Sequence, residues 1–345
     1  MVDLSKVVKN LKSEFSTISV AEEKEDPQDF ISSGNLALDL VLDGGFPYGS
    51  VIELLGLSQS GKSLLIQKAI ANSMKKYPTV GVLANRENAY TKKRGEQLGI
   101  DNNSLLVAYP SDIPDVQSCF LFIFNSIAEI RKQDKDCYIA VGIDSISAFG
   151  KDVAFEKSDS GRKAKATHEG LREVLKLMDD KIILLVANQV TYKIGVMYGD
   201  PRTTTAGESM KYYSNVRLAL QDAHKVVDKS KGNEILGNWI EIEVIKTRFG
   251  PCFRSCYLQH LYKEGISTDS GYVRLLVNRG YLKPKNKEEF RKFSQETVIW
   301  TDGTVKEQYS EFGLGLLFEK HPELNFTSYP EYNSKEIQVG LDETE

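Results

Sequence analysis

Residues 56–63 read Gly56-Leu57-Ser58-Gln59-Ser60-Gly61-Lys62-Ser63, a complete match to the pattern G-x-x-x-x-G-K-[ST]. The flanks agree with it. Val51-Ile52-Glu53-Leu54-Leu55 has the composition of a buried strand, and Leu64 to Met74 has helical apolar spacing. In such a strand–loop–helix unit, glycines at both ends of the loop let successive backbone N–H groups turn inward around phosphate oxygens without Cβ clashes. Lys62 is then expected to reach the β- and γ-phosphates and the Ser63 hydroxyl to ligate Mg²⁺, while the helix N-terminus adds a favourable dipole. A chance glycine turn would not bring the whole pattern in this context. The sequence therefore predicts a nucleoside triphosphate site.

Working outward, the strands expected are Val51 to Leu55, Val80 to Ala84, Leu105 to Tyr109, Tyr138 to Ile143, Ile182 to Ala187, Val216 to Leu220, Ile240 to Ile245 and Phe253 to Leu261. Helices fit Lys62 to Lys76, Asp115 to Lys132 and Ala166 to Met178. Strands alternating with helices of this length predict an α/β fold with a mainly parallel, doubly wound sheet, in which ligands bind beyond the carboxyl ends of the strands. Ahead of this core, Leu4, Val7, Val8, Leu11 and Phe15 predict an amphipathic helix, Thr17 to Val20 a strand and the acidic Ala21 to Asp29 a linker. Periodicity alone leaves open whether that helix packs on its own domain or on a neighbouring subunit. After about Gly265 the pattern changes to a small α+β module with an acidic tail, Leu341-Asp342-Glu343-Thr344-Glu345.

The 345-residue length suits two domains, or one large α/β core with appendages. Apolar residues make up 41% and charged residues 27%, as in ordinary soluble globular proteins. No apolar run reaches the roughly eighteen residues of a membrane span, and the first residues lack a basic-then-apolar leader pattern. The scattered Cys119, Cys137, Cys252 and Cys256 suit a reducing cytosol, so a cytoplasmic location is expected. Cys252 and Cys256 read as alternate residues of one strand face rather than half a metal site. A net charge of −4 excludes a generally basic nucleic-acid binder; DNA would have to meet a local basic surface.

Three strand ends carry polar groups suited to phosphate chemistry. Tyr138 to Ile143 ends at Asp144, a carboxylate placed to hold Mg²⁺ through its water shell. Val80 to Ala84 leads into Asn85-Arg86-Glu87, where Glu87 reads either as a solvated loop carboxylate or as a general base for water attack on the γ-phosphate. Ile182 to Ala187 leads to Asn188-Gln189, an amide able to bond the γ-phosphate and move when it leaves. The expected loop at 190–207 mixes glycines, cations, aromatics and aliphatics, the composition a single-stranded nucleic acid site requires.

Lys193-Ile194-Gly195-Val196-Met197-Tyr198-Gly199-Asp200-Pro201, Thr203-Thr204-Thr205 and Met210 to Arg217 resemble the DNA-binding loop and following signature of RecA-type recombinases. The likeness includes Ile31 to Asp39, Leu98 to Asp101 and Leu261 to Ile266, and so covers most of residues 1–266, with divergence elsewhere that suits a bacteriophage or mobile-element member. The resemblance implies a polymerisation arm over residues 1–30, a RecA-like P-loop NTPase core with mainly parallel doubly wound sheet over 31–266, and a small α+β C-terminal domain over 267–345. It implies an ATP-dependent recombinase that forms helical homo-oligomeric filaments on single-stranded DNA, pairs it with homologous duplex DNA and hydrolyses ATP with Mg²⁺. Single-strand binding and loader proteins would be its accessory partners.

The same resemblance assigns residues. Glu87 matches the water-activating glutamate, Gln189 the γ-phosphate sensor, and Lys246 and Arg248 two cations that reach the ATP of the adjacent subunit. Nucleotide contacts are implied for Gly56, Leu57, Ser58, Gln59, Ser60, Gly61, Lys62, Ser63, Leu64, Arg94, Asp144 and Tyr262. DNA contacts are implied for Arg162, Lys163 and Lys165 in a first loop between Ala154 and Thr167, and for Lys193, Ile194, Gly195, Val196, Met197, Arg202, Thr203, Thr204, Gly207 and Lys211. Asn85 departs from the acidic residue usual two before the glutamate, and Thr91 and Arg94 occupy positions that touch adenine. Two other functions compete: a RecA-fold regulatory or assembly ATPase without strand exchange, and a single-strand binding protein with a degenerate nucleotide site. The loop at 193–205 argues against the first; the intact set Lys62, Ser63, Asp144 and Glu87 argues against the second.

Overall fold

The computed structural model describes residues 2–14, 29–149, 159–192, 202–204, 209–228, 232–293, 297–301, 306–310, 314–331 and 333. The chain runs α1 (Leu4–Leu11), β1 (Phe30–Ile31), α2 (Leu36–Val41), β2 (Phe46–Pro47), β3 (Ser50–Gly56), α3 (Lys62–Lys76), β4 (Thr79–Asn85), α4 (Lys92–Leu98), β5 (Leu105–Ala108), α5 (Val116–Gln133) and β6 (Tyr138–Asp144). It continues through α6 (Asp159–Leu175), β7 (Ile182–Tyr192), β8 (Arg202–Thr204), α7 (Ser209–Tyr213), β9 (Val216–Asp228), β10 (Glu234–Lys246), β11 (Ser255–Leu261) and β12 (Gly265–Ile266). Last come α8 (Tyr272–Asn278), β13 (Lys283–Pro284), α9 (Lys287–Arg291), β14 (Thr297–Thr301), β15 (Lys306–Ser310) and α10 (Leu314–Lys320).

The central sheet has the order β12-β11-β10-β9-β3-β7-β6-β4-β5. The six strands from β9 to β5 pair in parallel, and β10, β11 and β12 extend the sheet antiparallel. Side chains alternate between faces along each strand. Ile52, Leu54, Leu83 and Ala140 pack with Leu65, Ile66 and Ile70 of α3 on one face. Val51, Val82 and Val141 pack with Phe120 and Ile123 of α5 and Leu171 of α6 on the other. Both faces are covered, which is why the strands read as unbroken apolar runs. Each such buried aliphatic side chain contributes about 1.5–3 kcal/mol. The first layer continues through Val273, Leu276, Val298 and Leu317 of the elements after β12.

Helix ends have local causes. The αL conformation of Gly61 (φ +88°) turns the loop into α3. Asp115 and Ser118 form a reciprocal capping box at the start of α5. The buried Asn35 accepts from Leu38 N at 3.0 Å and donates to the Ser267 and Ser270 carbonyls at 2.8 and 2.9 Å. It thereby caps α2 and ties it to the segment between β12 and α8.

Several expectations need correction. The strand expected at Ile182 to Ala187 runs on to Tyr192, and Arg202–Thr204 returns beside it antiparallel, so residues 190–192 and 202–204 are hairpin strands rather than loop. The strands expected at Val216 to Leu220 and Ile240 to Ile245 are each 13 residues long. Residues from 159 onward, expected in a first DNA loop, form the start of α6. The expected N-terminal helix stops at Leu11. Cys256 is buried on β11, but Cys252 precedes the strand, so the two do not share a strand face. The strand expected at Thr17 to Val20, most of the linker at 21–29 and the acidic tail lie outside the described residues. Among the described residues no helix is long and apolar enough to cross a membrane.

Candidate functional site

At the carboxyl ends of the parallel strands lies an open cavity of about 780 Å³. Ser58 to Leu64 form one wall; Glu87, Arg94, Gln189 and Tyr262 line the rest, joined by Ala148 and His260. Gly56 and Leu57, expected among the nucleotide contacts, line an adjoining cavity of about 250 Å³ that shares Ser58 and Ser60 with the first. Gly56 still shapes the loop: a Cβ there would stand 2.3 Å from Ser60 Oγ and 2.7 Å from the Leu220 carbonyl oxygen. Lys62 is folded onto its own loop, its Nζ donating to the Gly56 and Leu57 carbonyls at 2.9 and 2.5 Å and to Ser60 Oγ at 3.2 Å. Burial lowers the ammonium pKa, and the nearby charges of Glu87 and Asp144 oppose that shift.

β6 and β4 deliver the carboxylates. Asp144 is 2% exposed and accepts from Ser63 Oγ at 2.9 Å. Burial pushes its carboxyl up to about 6, against the Ser63 hydrogen bond and the Lys62 charge. Glu87 is exposed on the turn after β4, where its N–H donates to the Asp144 carbonyl at 3.0 Å and its Oε1 accepts a short hydrogen bond from Ser145 Oγ. Asn85 is buried opposite Asp144 in register, and its Oδ1 accepts from Ala89 N and Tyr90 N at 2.9 and 3.3 Å, shaping the turn that carries Glu87. Among the described residues its buried Nδ2 donor has no partner. A buried carboxylate raised by desolvation, an adjacent hydroxyl and an orphaned donor fit a hydrated divalent cation and its phosphate ligands.

Gln189 reaches the cavity from β7, with its backbone N–H bonded to Ser147 Oγ. At the far end stand Arg94, Tyr262 and His260. Thr91 does not line the cavity: its hydroxyl caps α4 by accepting from Arg94 N at 3.3 Å. His260 Nδ1 lies 3.2 Å from Asn238 Oδ1, and burial, with Arg94 second, lowers its pKa. Sequence reading missed His260 because a lone histidine in an apolar strand resembles a core residue, and missed Ser145 because only folding brings it to Glu87.

Lys246 and Arg248 are not in the cavity. Lys246 Nζ donates to the Lys211 carbonyl at 2.7 Å, and Arg248 is exposed. Of the cations expected in the first DNA loop, Arg162 and Lys165 are exposed on α6, with Lys165 Nζ 3.9 Å from Glu169. Lys163 instead reaches back, donating to the Ser147 and Phe149 carbonyls at 3.2 and 2.7 Å. Arg202, Thr203 and Thr204 lie on β8, paired with Tyr192, Thr191 and Val190. Lys193, Ile194, Gly195, Val196, Met197 and Gly207 lie outside the described residues. α7, which carries Lys211, is tied to α6 by Ser209 Oγ donating to the Ala164 carbonyl at 3.4 Å and by Tyr213 with His168 at 3.2 Å.

Comparison with known proteins agrees on one family. Residues 2–267 match the family model of the RecA N-terminal domain. Among curated proteins, Protein RecA of Corynebacterium efficiens is 29% identical over 328 residues, covering 90% of this chain and 82% of that protein. Protein RecA of a Nocardioides species is 31% identical over 289 residues, 81% of this chain and 79% of its own. Protein RecA of Chlorobaculum tepidum is 35% identical over 259 residues, 73% and 71% of the two chains.

Proposed function

This chain belongs to the RecA family, and from that premise we propose that it is an ATP-dependent recombinase. It assembles as a helical filament on single-stranded DNA, pairs that strand with homologous duplex DNA, and hydrolyses ATP in the cavity beneath the phosphate loop. The observation that carries this reading is β7, which brings Gln189 to the cavity and continues without interruption into the hairpin with β8. The group read as the phosphate sensor and the strand that leads towards the segment read as DNA-contacting thus belong to one strand.

Within the cavity, Lys62 leaves the loop carbonyls for the triphosphate, so its charge is exchanged between partners rather than exposed to water. Glu87 orients a water and accepts its proton as the oxygen attacks the γ-phosphorus and the bond to the β-phosphate oxygen breaks. Ser145 holds the Glu87 carboxylate in position. Ser63 and Asp144 would hold Mg²⁺, which when bound neutralises developing phosphate charge. Arg94, His260 and Tyr262 form the end that receives the base. Lys246 and Arg248 act on the nucleotide of a neighbouring protomer, a head-to-tail contact that does not close and so propagates along DNA. We assign α1 to the same assembly: Leu4 and Val7 are 56% and 40% exposed, and the helix buries none of its residues.

The test is electron microscopy with single-stranded DNA and a slowly hydrolysed ATP analogue, followed by strand exchange on the same sample. Nucleotide-dependent filaments and exchanged strands are expected. ATP turnover without either would leave an ATPase that is not a recombinase.

A further inference from the structure

Glu53 is the charged residue within the buried strand β3, and it is 0% exposed. Both of its oxygens are engaged. Oε1 accepts from Asn188 Nδ2 at 2.7 Å, and Oε2 accepts from Arg217 Nε at 2.5 Å. Asn188 in turn accepts from Ser147 Oγ at 3.0 Å through its Oδ1, and Ser147 Oγ takes the backbone N–H of Gln189. On the other side, Glu53 is in register with Arg217, and Arg217 with Lys246. Hydrogen bonds therefore run from Gln189 on β7 through Glu53 on β3 to Arg217 on β9, and strand register and charge carry the row on to Lys246 on β10. The Lys246 side chain closes onto the Lys211 carbonyl of α7, the short helix after the β7–β8 hairpin.

A buried ion pair is poor evidence for stability, because well-packed apolar residues of the same volume commonly serve as well. What directional bonds add is position. Glu53 can hold Arg217 in one place only while Asn188 is held in one place, and Asn188 is the residue before Gln189. Lys246 feels the result. Burial and the positive charges of Arg248 and Arg217 all push its ammonium pKa down, and Glu53 opposes them.

We propose that Glu53 is a positioning residue that links the two nucleotide seams of each protomer, setting Arg217 and Lys246 by the arrangement of the Asn188–Gln189 end of β7. The state of the nucleotide in a protomer's own cavity would then govern how well its Lys246 serves the neighbour. The inference rests on the reading of Lys246 as a cation that acts in trans. It makes no use of Glu53 in the chemistry.

A double-mutant cycle on DNA-stimulated ATP hydrolysis tests it, using Glu53→Gln, Lys246→Ala and the two together. Glu53→Gln is expected to lower kcat by about two- to thirtyfold, the range for a change on a coupling path, and to bring the Hill coefficient for ATP towards one. The double variant should be no slower than Lys246→Ala alone. Binding of a fluorescent nucleotide to the DNA-free protein should stay within about twofold, since no cavity group is changed. The pair Glu53→Met with Arg217→Met removes both charges together and guards against a folding defect. It should melt close to the wild type yet show the same loss of cooperativity. Additive losses in the cycle, or a Met pair with wild-type kcat and Hill coefficient, would overturn the proposal. A wild-type protein without DNA-stimulated turnover would remove the underlying reading instead, and with it this one; that arm is measured separately.

Discussion

The Ser63 hydroxyl donates to Oδ1 of Asp144 across 2.9 Å, joining the last residue of the phosphate loop to the last residue of β6. Burial leaves Asp144 short of charge compensation, and Ser63 supplies part of it. A divalent cation would supply the rest. Asp144→Asn keeps the shape and removes the charge, so the Mg²⁺ concentration for half-maximal ATP turnover should rise about ten- to a hundredfold, as for other groups that orient a metal's ligands. A magnesium titration of hydrolysis measures it, and an unchanged midpoint would leave Asp144 without this role.

Lys62→Ala should weaken ATP binding by roughly ten- to a hundredfold, the value of a lost hydrogen bond to a charged group. Thermal stability without nucleotide should change little, because the lost bonds to Gly56 and Leu57 offset the lost cost of burying an ammonium. Calorimetric titration with a slowly hydrolysed analogue gives the first quantity and a melting curve the second.

Glu87→Gln should keep filaments while cutting DNA-stimulated hydrolysis by roughly a hundredfold or more, the size of a lost general base. Ser145→Ala tests the residue that holds it. It should lower kcat by about threefold to tenfold, equivalent to one ordinary hydrogen bond, with KM unchanged. If both variants turn over ATP at the wild-type rate, the base lies elsewhere.

How much of this was legible beforehand varies with the physics of each element. α3 was read at both ends, Lys62 to Lys76, because Gly61 fixes its start and Tyr77, in extended conformation, its finish. The buried parallel strands were legible as apolar runs, whereas the outer half of β9, from Gln221, was not: it is largely exposed and mostly polar, and pairing with β10 makes it a strand. Likewise Ser158-Asp159-Ser160-Gly161 has the composition of a turn, yet α6 begins at Asp159. That the phosphate loop, Asp144, Glu87 and Gln189 lie together was legible because a motif and three strand ends point to one edge. His260, Ser145 and the partners of Glu53 were not, since they meet the site only through strand register and side-chain contacts across the sheet.

The cations of α6 should divide in their effect on DNA binding. Arg162→Ala and Lys165→Ala should each reduce the log–log salt slope for single strands by about 0.7, the contribution of one phosphate contact. Lys163→Ala should leave the slope unaltered and lower stability by about 1–3 kcal/mol, since its ammonium is bonded to the Ser147 and Phe149 carbonyls. Fluorescence anisotropy over a salt series separates the two classes. A slope change for Lys163→Ala equal to the others would place it on the DNA as well.

His260 should make the protein's stability sensitive to mild acid. Its Nδ1 faces Asn238 Oδ1, and that amide is oriented by Nδ2 donating to Asp222 Oδ1 at 2.5 Å, so the neutral ring carries its hydrogen on Nδ1. Burial and the Arg94 charge hold the folded-state pKa below the ordinary value of 6.5. As pH falls through that ordinary value the unfolded chain takes up the proton first, so stability present above it is lost progressively towards the lower folded pKa. His260→Gln has no proton to take up in this range. The melting temperature of the wild type relative to His260→Gln should therefore be higher at about pH 7.5 than at about pH 5.5, with the difference developing across the histidine range. An identical gap at both values would mean that the ring titrates alike in the folded and unfolded chains, which its burial beside Arg94 argues against.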